Sequence, residues 1–178
     1  DSWTGQLNID MKEKSLDRID IVMADDWAGT VNLSNAASGG INLAALGAKA
    51  TINMADNELY LKVDTALESN IASALKLSGN TKIINGYAGA AYHFNGAVSG
   101  TGNLEVAVGW LQDKMDFNFK GSVSDWSGHA TVSAGHHALN FSAGATAINL
   151  AQISADGTAT LDLNITNTQD VEVSSAIT

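Results

Sequence analysis

Trp3-Thr4-Gly5-Gln6-Leu7 returns as Trp27-Ala28-Gly29-Thr30-Val31, 24 residues further along the chain. Trp126-Ser127-Gly128-His129-Ala130 is a third copy. Phe94-Asn95-Gly96-Ala97-Val98 and Phe119-Lys120-Gly121-Ser122-Val123 are Phe versions, 25 residues apart. The unit is aromatic-x-Gly-x-apolar. A repeat of this length is one turn of a solenoid, in which equivalent residues of successive turns stack. A stacked inward aromatic buries a large area. The glycine two residues later suits a bend or a close backbone approach. Trp3 and Trp27 are therefore expected in register on adjacent turns, with both rings buried.

Working outward, period-2 alternation fills most of the chain. It is seen in Gln6-Leu7-Asn8-Ile9-Asp10, Thr30-Val31-Asn32-Leu33 and Thr51-Ile52-Asn53-Met54. It continues in Glu58-Leu59-Tyr60-Leu61, Met115-Asp116-Phe117-Asn118-Phe119 and Thr160-Leu161-Asp162-Leu163-Asn164-Ile165. Gly, Asn, Ser and Asp punctuate these runs as turn residues. Proline is absent, as expected where nearly every strand is internal to a ladder, because proline cannot donate to one. The fold expected is all-β: a right-handed parallel β-helix of about seven coils over 1–178, roughly 35 Å long at the usual strand spacing. An antiparallel β-sandwich is the alternative. Two stretches are open. Thr65 to Leu77 carries Leu67, Ile71, Ala74 and Leu75 at a spacing that permits a short amphipathic helix as well as further strands. Residues 36–89 lack the aromatic-x-Gly unit and rest on alternation alone.

Nineteen acids against nine bases give a formal charge of −10. Nucleic acid and anionic membrane both call for a basic surface, so neither is expected as a partner. No apolar run approaches the roughly 20 residues of a membrane helix, so no direct membrane insertion is expected. With no cysteine there is no disulfide or thiolate chemistry. The chain opens at Asp1 and closes at Thr178 within the alternating pattern, and we expect it to be a single solenoid segment of a larger surface protein.

Ala97-Val98-Ser99-Gly100-Thr101-Gly102-Asn103-Leu104-Glu105-Val106 resembles the β-strand repeat of autotransporter passenger domains, with its (Ile/Val)-Ser-Gly-x-Gly-x-Leu order. Phe94-Asn95-Gly96 matches the aromatic-x-Gly step that leads into it, and Val173-Ser174-Ser175-Ala176-Ile177-Thr178 resembles the start of another unit. The resemblance is clearest over 90–178, with an echo at 1–35. It implies a right-handed parallel β-helix that is secreted through an outer membrane and displayed at the cell surface.

No chemistry-bearing motif stands out. Asp25/Asp26 and Asp113/Asp116 read as turn residues. Asp56-Asn57-Glu58 and Asp64/Glu68 form no ligand pattern, and neither a calcium-binding solenoid repeat nor an EF-hand loop occurs. His136 and His137 are adjacent, so in a strand they face opposite sides and do not share a metal. No Gly-x-Ser-x-Gly elbow is present. Gly39-Gly40 and Gly100-Thr101-Gly102 lack the Lys-Ser/Thr of a phosphate loop. Tyr87, Tyr92 and Trp110 lie in or near turns, where an aromatic can stack on a sugar, and are the candidate glycan contacts. The function expected is a structural or adhesive segment of a secreted bacterial surface protein, extracellular or at the cell surface. It would have no catalytic activity and no cofactor or metal, and host or matrix glycans or proteins, or further copies of itself, would be its partners. A carbohydrate-binding or carbohydrate-active β-helix is the alternative. A groove lined by carboxylates and aromatics would favour it.

Overall fold

The computed structural model describes residues 4–12, 20–37, 39–61, 67–84, 89–107, 114–142, 147–166 and 170–178. In chain order the strands begin with β1 (Gln6–Asp10), β2 (Thr30–Ser34) and β3 (Gly39–Ile41), after which a single 3-10 turn spans Leu43–Ala45. β4 (Thr51–Ala55), β5 (Asn57–Leu61) and β6 (Glu68–Ile71) form the next turn of the chain, and β7 (Ala74–Leu77), β8 (Asn80–Ile84) and β9 (Ala91–Phe94) the one after. β10 (Val98–Gly100), β11 (Asn103–Ala107) and β12 (Met115–Phe119) follow, then β13 (His129–Val132) and β14 (His136–Ser142). β15 (Ala147–Ile148), β16 (Gln152–Ala155), β17 (Thr160–Thr166), β18 (Glu172–Val173) and β19 (Ala176–Ile177) complete the chain.

Every described strand pair is parallel, and each strand pairs with its equivalent one turn away. One wall is β1-β2-β4-β7-β10, the second is β3-β5-β8-β11-β13-β16-β19, and the third is β6-β9-β12-β14-β17; β15 and β18 form a short fourth ladder. This is a β-solenoid of about six turns, one fewer than the sequence suggests. Dividing the whole length by one repeat overcounts, because the ends are incomplete. Between Met11 and Thr30 no described residue forms a strand, and the last rung holds only two-residue strands in β18 and β19. Residues 36–89 follow the same course as the rest, in β3 to β8. Of the two options for Thr65 to Leu77, the structure takes strands: β6 and β7 lie there, paired to β9 and β4.

Alternation becomes architecture because each strand turns every second side chain inward. Val31 and Leu33, Ile52 and Met54, and Leu75 and Leu77 stack through the first wall. In the third wall Ile71, Phe94, Phe119, Phe141 and Ile165 form one column. The Phe94 and Phe119 rings are 5.1 Å apart and those of Phe119 and Phe141 5.0 Å, each pair 13° from parallel.

The aromatic-x-Gly unit marks corners. Gly5, Gly29, Ala50, Ser73, Gly96 and Gly121 stack where the third wall turns into the first. A Cβ on Gly121 would overlap the Gly96 carbonyl oxygen, and one on Gly96 would overlap that of Ser73. The Trp126 copy serves a different corner. Trp126 bridges Gly100 at the end of the first wall, and Gly79, Gly102 and Gly128 stack at the entry to the second. Trp27 is buried, as expected, and Trp3 lies outside the described residues, so its stacking on Trp27 does too.

Candidate functional site

The three residues proposed for glycan contact do not form a site. Tyr92 is 1% exposed, its ring stacks on Phe117 at 5.5 Å, and its hydroxyl donates to the Leu61 carbonyl at 2.8 Å. It is a core residue, which corrects the expectation: in Ala91-Tyr92-His93-Phe94 it shares the inward face with Phe94. Tyr87 and Trp110 lie outside the described residues.

The other polar candidates are mostly structural. Asn57 is buried; it accepts from the Ala36 N–H at 3.1 Å and donates to the Leu33 carbonyl at 3.1 Å. Asp56 adopts a left-handed φ of 54°, which Asp tolerates better than most residues, and accepts from the Asn80 N–H at 3.0 Å. Asp113 and Asp64 lie outside the described residues. His136 and His137 do face opposite ways. His136 is exposed, with Nε2 2.9 Å from Asp162. His137 is 0% exposed, and its Nδ1 accepts from the Met115 N–H at 3.2 Å. Burial pushes the His137 ring below the ordinary imidazole range, and the neighbouring His136 adds to this. On the same outer wall Lys114 Nζ lies 2.6 Å from Asp162 and 3.8 Å from Asp116. The Lys114 ammonium, and then His136, hold the Asp162 carboxyl below its usual range.

Polar columns cover the outside. Asn32 donates to Asn8 and Asn53 to Asn32, both at 2.6 Å. On the third wall Asn140 donates to Asn118 at 3.0 Å and Asn164 to Asn140 at 2.7 Å. In every case the later turn donates and the earlier one accepts, so these amides tie turn to turn.

The one concavity that crosses several turns is a furrow of about 670 Å³ on the second wall. It runs along the solenoid axis between two columns. Asp56, Asn80, Asn103 and His129 form one, and Glu58, Lys82, Glu105 and Thr131 the other. Asn103 donates to Asn80 at 2.8 Å, and Lys82 Nζ lies 3.0 Å from Glu105. Partial burial pushes Glu105 upward, but the Ser133 hydroxyl at 2.6 Å and Lys82 outweigh it and hold the carboxyl below its ordinary range. The furrow was missed in the sequence because its residues are 23 to 26 apart, and only the strand register aligns them. It has carboxylates but, among the described lining residues, no aromatic platform. Among the described residues no group of three or more His, Asp or Glu is placed to hold a metal ion.

No protein-family model matches the chain, and no curated protein or solved structure matches it either.

Proposed function

We propose that this chain is a structural and adhesive segment of a secreted bacterial surface protein, a solenoid spacer with no catalytic activity of its own. The observation that carries this reading is how its outward polar groups are used. The two three-membered amide columns and the Asn80–Asn103 pair are spent on joining one turn to the next. An arrangement of that kind favours a rod that holds its length. Six turns at the usual strand spacing give about 29 Å. The resemblance of Ala97 to Val106 to the passenger-domain repeat supports the same reading, since that stretch forms the β10–β11 corner of one turn.

The test is surface labelling. An antibody raised against the folded chain should stain intact producing cells, and deleting the segment in frame should reduce their attachment to glycan- or protein-coated surfaces. Staining that appears only after permeabilisation would overturn the reading. A second reading, a carbohydrate-binding module, is favoured by the furrow.

A further inference from the structure

We infer that the furrow on the second wall is a binding site for a linear polysaccharide that carries amino groups. The inference deepens the adhesive reading by naming a ligand class. Three properties of the furrow lead to it.

The first is periodicity. Its polar groups recur once per turn, about 4.8 Å apart along the axis. A ligand that uses several of them must itself be linear and repeat at a similar interval, as an extended glycan does with each sugar.

The second is the state of the backbone. β5, β8, β11 and β13 lie inside the wall, each paired on both sides. A peptide adding a strand needs an open edge with free N–H and C=O groups, and this face has none among its described strands. Recognition must therefore run through side chains. Here those are amides, carboxylates, an ammonium and a hydroxyl, which offer donors and acceptors to a ligand rich in hydroxyl groups.

The third is charge. Asp56, Glu58, Glu105 and Asp156 line the furrow against Lys82 alone. Lys82 is already paired with Glu105, so the surplus is negative. That repels uronates and sulfated glycans and attracts ammonium groups. Amino groups along a polyhydroxylated chain meet both demands.

The test is titration of the purified chain with a glucosamine hexamer, followed by calorimetry and by amide NMR shifts. The comparison probes are the N-acetylated hexamer, a galacturonate hexamer and a lysine hexamer. We expect the glucosamine hexamer to bind most tightly, to shift the signals of Asn80, Asn103 and His129, and to weaken as salt is raised. Glu58→Gln with Asp156→Asn should weaken it roughly three- to thirtyfold, the range for two exposed ion pairs. Asp170→Asn with Glu172→Gln removes the same charge at exposed positions outside the furrow, and should leave binding unchanged. Three results would each overturn the inference: binding of the lysine hexamer as tight as that of the glucosamine hexamer, equal losses in the two double variants, or no shift at the furrow with any sugar. The measurement is made in solution, so its failure leaves the surface-labelling result standing, and the converse also holds.

Discussion

Replacing Trp126 separates the two things a buried corner indole does. The side chain is 0% exposed, sits 5.7 Å from Phe119 in a tilted arrangement, and its Nε1–H donates to the Gly102 carbonyl at 2.9 Å. Trp126→Ala removes the ring and leaves a cavity that the rungs above and below cannot close, because Gly128 already overlies Gly102 at backbone contact. Large aromatic truncations of this kind cost about 3–5 kcal/mol. Trp126→Phe keeps most of the apolar contact but leaves the buried Gly102 oxygen without its donor, for about 1–2 kcal/mol. Urea unfolding followed by far-UV circular dichroism measures both, with the slope against urea expected to stay constant. The reasoning fails if Trp126→Ala costs under about 1 kcal/mol, the range of surface changes. It also fails if Trp126→Phe is as damaging as Trp126→Ala, since the cavity would then contribute nothing.

Gly121→Ala should destabilise the solenoid by well over the roughly 1 kcal/mol of an ordinary surface change, because its methyl meets the Gly96 carbonyl; thermal melts check this. Phe119→Leu should cost about 1–2 kcal/mol less than Phe119→Ala in urea melts, since leucine refills the column and gives up mainly the stacking with Phe94 and Phe141. His137 stays neutral in the folded state while the unfolded imidazole takes a proton near its ordinary value of about 6.5. The folded ring has the lower pKa, so stability is full above that pH and falls as pH drops below it, by at most about 1.4 kcal/mol per unit. Urea midpoints between about pH 7 and 5 should show this slope, and His137→Asn, which keeps an acceptor for the Met115 N–H, should flatten it. An unchanged slope would mean that His137 is not the group that titrates.

The fold was legible because two physical signals coincide. Alternation places alternate side chains inside, and the aromatic-x-Gly unit appears where a turn needs both a large inward ring and a backbone that can touch its neighbour. The middle of the chain hid its turns because the same columns are filled by other residues. Where Gly29 and Gly96 stand, the intervening turns have Ala50 and Ser73, the next smallest side chains, and Ile71 holds the place of Phe94. The stacking is the same, but the letters no longer repeat. The spacing between Trp27 and Trp126 misled for the opposite reason: the letters repeat, while the two units turn different corners.

The furrow illustrates why surface function is harder to read in such a fold than the core. An inward column can be recognised from one strand, because hydrophobicity alternates with a fixed period of two. An outward column exists only across strands, and here the step between partners varies from Gly39 and Leu59, 20 residues apart, to Leu104 and Ala130, 26 apart. A slip of one residue would put a core side chain in its place. Asp56, Asn80, Asn103 and His129 therefore share no sequence period, yet they stand in line because the buried residues beside them fix each strand's position. Asn57, Thr81, Leu104 and Ala130 form that inner column, with the Asn57 side chain anchored to Leu33 and Ala36. The register of the outer face is thus a consequence of core packing. A core change such as Leu104→Ala should accordingly disturb the furrow residues before a conservative exchange on the outer face disturbs the core.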